Sequence, residues 1–136
     1  MPIEDAERIR QILKEAKSIA VVGASPKPWR ESGRIAQFLM EKGYTVFPVN
    51  PNYDEVLGRQ CFPNLASIAQ RVDIVDIFRR SEEVPPIVEE AIRIGARTVW
   101  MQLGVINHES AARAEEGGLD VIMNRCTAIE YRRLIE

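Results

Sequence analysis

The stretch from Gly23 to Arg34 concentrates residues able to hold an anion: Lys27, Arg30 and Arg34, the hydroxyls of Ser25 and Ser32, and a glycine at each end of the loop, Gly23 and Gly33. Gly23 lets the backbone turn sharply and come close to a ligand. The N–H groups that open the next helix, together with the two hydroxyls, can bind phosphate oxygens. The three cations add local positive charge to a chain whose net charge is −2. The alternative for the same stretch is a solvated loop. A second cluster, Phe78-Arg79-Arg80, pairs an aromatic ring with two guanidinium groups, a combination that can clamp a base and a phosphate together. Its alternative is a pair of surface arginines neutralised by Glu82 and Glu83. Gln102 and Gly104 form a third, smaller cluster, with one amide side chain and one glycine for close backbone approach.

Other chemistries lack their residues. A dinucleotide loop would read G-x-G-x-x-G, but here Gly23 and Gly33 lie ten positions apart, so the close helix approach is not encoded. NAD binders place an acid after their second strand for the ribose hydroxyls; this chain has Asn50 and Pro51 there. The single histidine, His108, follows Asn107 at an expected helix start, where a surface or capping role fits. There is no nucleophile elbow or metal-ligand cluster, so no catalytic residue and no metal site is expected. Cys126 lies beside Arg125, where a thiolate would be favoured, although burial as a small apolar residue is the preferred reading. Cys61 carries no assigned role.

Composition narrows the field further. The 136 residues, 46% hydrophobic and 28% charged, suit one globular domain over 1–136. An acidic balance argues against a nucleic-acid surface. The first residues are charged, so no secretory signal is expected, and no apolar run approaches a membrane span. Two distant cysteines do not form a disulfide framework. A cytoplasmic protein without membrane contact is the expectation, with a second copy or a partner enzyme left open.

The elements that must position the clusters follow from periodicity. Ile3, Ala6, Ile9, Leu13 and Ala16 recur at helical spacing. Ser18–Val22 is a short apolar run of the kind buried on both faces of a parallel sheet. A helix from about Gly33 to Lys42 ends at Gly43, and Thr45–Val49 is a second strand, in which Pro48 cannot donate to a ladder. Asp73–Phe78 is a third strand, followed by a helix carrying Val84, Ile87, Val88, Ala91 and Ile92. Thr98–Met101 is a fourth, then a helix near Glu109–Glu116, a fifth strand at Leu119–Ile122 and a short helix through Tyr131. Strands alternating with helices predict an α/β, Rossmann-type three-layer sandwich with a five-stranded, mainly parallel sheet. The expected strand order is 3-2-1-4-5, with a ligand crevice at the strand carboxyl ends where strands 1 and 4 diverge. The segments after residues 22, 49, 78 and 101 would line it.

Taken in order, Val21–Ser25, Gly43–Pro51, Val75–Arg80, Val99–Val105 and Met123–Cys126 resemble the coenzyme A-binding protein family, the small relatives of the amino-terminal domain of succinyl-CoA synthetase α subunits. The resemblance runs from about Ser18 through Cys126. It implies a site for the nucleotide end of coenzyme A, with Gly23, Ala24, Ser25 and Lys27 at the phosphates and Asn50, Pro51 and Tyr53 near the adenosine. Phe78, Arg79 and Val84 would form the wall after the third strand, and Gln102 and Gly104 the pantetheine side. Arg30 and Arg34 join this set on charge alone. The synthetase carries its phosphorylated histidine in a second domain without counterpart here, so ligase chemistry would need a partner chain. The implied function is binding of coenzyme A or an acyl-CoA, as a carrier, sensor or regulatory module. The alternatives are a CoA-binding subunit of an acyl-CoA synthetase or acyltransferase, and an NAD-binding redox sensor.

Overall fold

A computed structural model describes residues 1–136. Its strands are β1 (Ser18–Val22), β2 (Thr45–Val49), the short β3 (Glu55–Val56) and β4 (Arg59–Gln60), β5 (Ile74–Ile77), β6 (Thr98–Met101) and β7 (Asp120–Met123). The helices are α1 (Ala6–Glu15), α2 (Glu31–Glu41), α3 (Val84–Arg93), α4 (His108–Glu116) and α5 (Thr127–Leu134). Five strands make one parallel sheet, while β3 and β4 form a separate antiparallel hairpin.

The continuous apolar runs have the expected cause: both faces of the sheet are covered. Ile19 and Val21 of β1, Trp100 of β6 and Ile122 of β7 face one layer, where Ile9, Leu13, Leu39 and Ala128 of α1, α2 and α5 meet them. Alternate residues Ala20, Val22, Val75, Val99 and Val121 face the other, against Val84 and Val88 of α3 and Ala111 and Ala114 of α4. Alternation along a strand sends successive side chains to opposite layers, so both sets must be apolar. Trp100 is fully buried, and its indole N–H reaches the Arg125 carbonyl at 2.8 Å.

The Rossmann-like three-layer architecture agrees with the expectation, but the strand order is corrected. The sheet runs β2-β1-β5-β6-β7, which is 2-1-3-4-5 among the five long strands instead of 3-2-1-4-5. Pro48 supplies the physical reason. Its carbonyl points away from β1 and accepts the Phe62 N–H at 2.9 Å, so the missing proline donor lies on the outer side of β2. The expected order would have buried that side against another strand, where a ladder donor is required. As an edge strand β2 avoids the conflict. The chain then lays Phe62 along the same edge through a bridge to Val49, returning a second hydrogen bond from the Asn50 N–H to the Phe62 carbonyl at 2.9 Å.

The order also moves the switch point. The chain steps from β1 outward to β2 and returns on the far side of β1 as β5. The crevice therefore opens between the loops after β1 and β5, not between those of the first and fourth strands.

Candidate functional site

Gly23 ends β1 in a left-handed conformation, φ 91°. A Cβ there would stand 2.7 Å from the Phe78 carbonyl oxygen and 2.9 Å from Arg79 Cδ. Only glycine lets the first loop pass the end of β5 so closely, and this contact is the base of the crevice. Gly33 has a different task. It lies in the first turn of α2, where a Cβ would meet the Lys27 carbonyl oxygen at 2.9 Å. Its bare backbone lets the loop curl over the helix start, so the long spacing between the two glycines wraps Ser25–Lys27 around the opening of α2.

That opening is a site for negative charge. No side chain caps α2, and the first N–H groups of any helix lack intrahelical partners and carry the positive end of its dipole. Glu31 and Ser32 of the first turn line the crevice together with Gly23, Ser25, Lys27 and Arg30. The exposed Lys27 and Arg30 form no ion pair, so their charge is free for a ligand. Arg79 and Arg80 differ. Arg79 pairs with Glu83 at 3.0 Å, and Arg80 with Glu82 at 3.3 Å and Glu83 at 3.2 Å. The Arg80 hydrogen bond holds the Glu83 carboxyl below the usual carboxylate range. The paired-arginine alternative thus describes the resting loop after β5.

Across from the first loop, the crevice is walled by Asn50, Asn52, Tyr53, Phe78, Arg79, Gln102 and Gly104, and encloses about 480 Å³. A second lobe of about 300 Å³ shares Gly23 and Arg79 with the first and continues along Pro51, Pro63, Pro86 and Ile87. The Arg79 side chain, lying over Gly23, is the divider between them. Of the residues singled out in the sequence, Gly23, Ser25, Lys27, Arg30, Asn50, Pro51, Tyr53, Phe78, Arg79, Gln102 and Gly104 all meet in these two lobes. Ala24, Arg34 and Val84 line neither. Ala24 is fully buried beneath the loop, Val84 belongs to the core, and Arg34 donates to the Trp29 carbonyl at 2.8 Å.

The rim is cross-braced by side chains that sequence reading left without such a role. Asn50 donates to the Ala24 carbonyl at 2.8 Å and accepts the Asn52 N–H at 2.9 Å, tying the loop after β1 to the turn after β2. Both polar ends of this amide are therefore occupied. Ser81 accepts the Ile106 N–H on its hydroxyl at 2.9 Å, and its carbonyl takes the Asn107 amide at 3.0 Å. Asn124 accepts the Gly104 N–H at 2.8 Å. Loops fixed in this way present their ligand groups without a further ordering cost on binding.

Beneath the crevice lies a buried polar network for which sequence offered only the polar residue types inside apolar runs. Asp76 stands in β5, wholly buried, between Val21 and Trp100 on the neighbouring strands. The Thr127 hydroxyl lies 3.1 Å from Asp76 Oδ2 and 3.0 Å from Gln102 Oε1, and the Thr127 N–H donates to the same Gln102 oxygen at 2.9 Å. Burial pushes the Asp76 carboxyl well above the usual range, opposed by the Thr127 hydrogen bond and reinforced by the Glu31 charge.

The cysteines stay out of the site's chemistry. Cys126 is the N-cap of α5 and is packed in the core. Cys61 is buried beside the Asn50 carbonyl, and burial pushes its thiol up. His108 is exposed in the first turn of α4, behind the Asn107 cap.

An open parallel sheet with a glycine-bounded, cation-bearing loop at its switch point defines a Rossmann-like α/β protein. The chain belongs to the CoA binding domain family, which it matches over residues 17–132. It is 39% identical over 123 residues to the uncharacterized protein YneT of Bacillus subtilis, covering 90% of this chain and 91% of that one. It is 30% identical over 120 residues to acetate–CoA ligase [ADP-forming] I of Archaeoglobus fulgidus, where the match covers 81% of this chain but 18% of the ligase. Among solved structures, a hypothetical protein from Pyrococcus horikoshii OT3 superposes with a TM-score of 0.96 at 43% identity, over 100% of this chain and 97% of that one. The dinucleotide-forming acetyl-coenzyme A synthetase 1 of Ca. Korarchaeum cryptofilum does so with a TM-score of 0.73 at 26% identity, over 90% of this chain and 28% of that one. No helix is long and apolar enough to cross a membrane.

Proposed function

We propose that the protein binds coenzyme A, or an acyl-CoA, in the two-lobed crevice, as a carrier, sensor or regulatory module that catalyses no reaction of its own. The observation that carries this reading is the pair of unpaired cations, Lys27 and Arg30, beside an uncapped helix start at the switch point of a coenzyme A-binding fold. The phosphates lie against Gly23, Ser25, Lys27 and Arg30, with Ala24 packed beneath the loop and Arg34 bracing it. The adenosine lies by Asn50, Pro51 and Tyr53, against the wall of Phe78 and Arg79. The pantetheine arm passes Gln102 and Gly104.

NAD fits less well. The carboxylate that would hold its ribose is absent, and Asn50 in that place is fully used in joining two loops. Titration calorimetry and thermal melting test the reading. Coenzyme A should bind and raise the melting temperature, since a ligand of the folded state stabilises it by mass action, and NAD should do much less. An equal or larger effect of NAD would overturn the assignment. Turnover of acetate, ATP and coenzyme A by the homogeneous chain would overturn the absence of catalysis.

A second reading has its own observation. Leu103, 58% exposed, lines the crevice, and the exposed Trp29 (69%) and Ile106 lie on the same loops as the lining residues Lys27, Arg30 and Val105. Exposed apolar side chains at a site rim suit coverage by a partner chain, which would make the protein the coenzyme A-binding subunit of an acyl-CoA synthetase. Co-purification of a second subunit with ligase activity would favour it.

A further inference from the structure

We propose that Glu83 is a specificity-determining residue: by holding Arg79 and Arg80 it withholds their charge from the bound molecule and confines phosphate groups to the first-loop side of the crevice. The identity of that molecule rests on the coenzyme A reading, whereas the sorting of anions between the two lobes does not.

Glu83 is the shared partner of two guanidinium groups. Its Oε2 accepts from Arg79 Nη2 at 3.0 Å, while Oε1 accepts from Arg80 Nε at 3.2 Å and from the Arg80 N–H at 3.4 Å. Both carboxylate oxygens are engaged, each by a different arginine, an arrangement that a phosphate group would also satisfy. Glu83 thereby supplies an anion from within the protein itself. The side chains of Arg79 and Glu83 are 37% and 31% exposed, so the pair is partly shielded from the solvent that weakens a fully exposed one. The contact also fixes where Arg79 lies. Its side chain crosses Gly23, with Cδ 2.9 Å from the place that a Cβ would take there, and it lines both lobes.

The two lobes differ in charge accordingly. The larger is lined by the unpaired Lys27 and Arg30, by Arg79 and Arg80, and by one acid, Glu31. The smaller is lined by Glu82, Glu83 and Glu90 against Arg79 alone, and its remaining walls include Pro51, Pro63 and Ile87. A phosphate entering the smaller lobe meets three carboxylates and an arginine that is already neutralised, so like-charge repulsion turns it away. An uncharged group meets no such penalty. Glu90 is turned to the backbone, where it accepts the Leu65 and Ala66 N–H groups at 3.3 and 3.5 Å, and Glu82 pairs with Arg80. Of the three acids, Glu83 alone holds Arg79, so it decides whether the smaller lobe offers an anion a free guanidinium.

Glutamine separates charge from shape. Glu83→Gln keeps an acceptor for the Arg80 N–H but gives up the charge that binds Arg79. Calorimetry should show it taking up coenzyme A about three- to tenfold more tightly than wild type, the worth of one net hydrogen bond, with a steeper loss of affinity in added salt. Glu82→Gln removes the same charge from the same lobe without touching Arg79, and as an exposed residue should leave affinity within about twofold of wild type. Adding Glu83→Gln to Arg79→Ala should recover little of the gain, because the released guanidinium is gone and Arg80 stays with Glu82. Coenzyme A bound by Glu83→Gln no more tightly than by Glu82→Gln overturns the proposal and leaves coenzyme A binding intact. If wild type takes up no coenzyme A, the functional reading falls, and inorganic pyrophosphate titrated into the same proteins reads the sorting of anions by itself. Tighter uptake by Glu83→Gln than by Glu82→Gln then upholds the role of Glu83, and equal or absent uptake overturns it.

Discussion

Replacing Lys27 and Arg30 together with alanine should abolish most coenzyme A binding while leaving the fold nearly untouched. Both side chains are exposed and make no ion pair or hydrogen bond within the protein, and both line the larger lobe. Their removal breaks nothing in the free protein, and exposed charges contribute under about 1 kcal/mol to stability in any case. In the complex each would give a charge-assisted hydrogen bond worth about 1.5–3 kcal/mol. The double variant should therefore lose roughly 3–6 kcal/mol, about two to four orders of magnitude in Kd. Calorimetry would read the affinity and urea unfolding the stability, on the same preparations. Added salt should weaken the wild-type complex more than the variant's, because the attraction is partly screened. Dephospho-coenzyme A, which lacks the 3′-phosphate, locates the contact: if either residue reads that group, its single variant loses the preference between the two ligands. An unchanged Kd in the double variant would refute the reasoning. The phosphates would then lie at Arg79 and Arg80, which would first have to leave Glu83 and Glu82.

Gly23→Ala combines a positive φ with a Cβ 2.7 Å from a backbone oxygen; it should cost roughly 2–4 kcal/mol, read by urea unfolding, and a loss under about 1 kcal/mol would mean the loop yields easily. Asn50→Asp should not create an NAD site: a carboxylate would face the Ala24 carbonyl where a donor now sits, costing about 1–3 kcal/mol, and a gain in NAD affinity by calorimetry would contradict this. The raised Asp76 carboxyl makes the folded state hold a proton that the unfolded chain releases, so stability is greatest below the unfolded carboxylate range and falls as pH rises toward the folded value. The slope is about 1.4 kcal/mol per pH unit within that window. Asp76→Asn should remove this slope and be the more stable protein at neutral pH, and parallel unfolding curves across pH would count against it.

Much of the fold was legible because its signals are local. The apolar runs of β1 and β6 are long enough to show burial on both faces, and Gly23, Gly43 and Gly95 mark real left-handed turns. The helix starting at about Gly33 in the sequence begins at Glu31, two residues earlier. The difference matters, because it turns Gly33 from a loop residue into the point where the loop packs on the helix. The β3–β4 hairpin was not legible: two-residue strands show no periodicity, and its turn at Leu57 and Gly58, both at positive φ, carries a leucine where glycine or asparagine is the usual signal.

The site divides along the same line. Residue types alone pointed to the loop ends after β1, β2, β5 and β6, and residues of all four line one crevice in the folded chain. Which loops face each other was decided by the strand order, a matter of long-range pairing. A single missing donor at Pro48 carried the information, but its consequence depended on which side of β2 faced the neighbour. Charge availability was likewise tertiary: Lys27 and Arg79 are equally cationic in sequence, yet one is free and the other is held by Glu83. The Asp76–Thr127–Gln102 network joins residues 25 to 51 positions apart. A one-dimensional pattern records polar residues in apolar runs, but only the folded chain brings them within hydrogen-bond distance and buries the acid away from water, which pushes its carboxyl up.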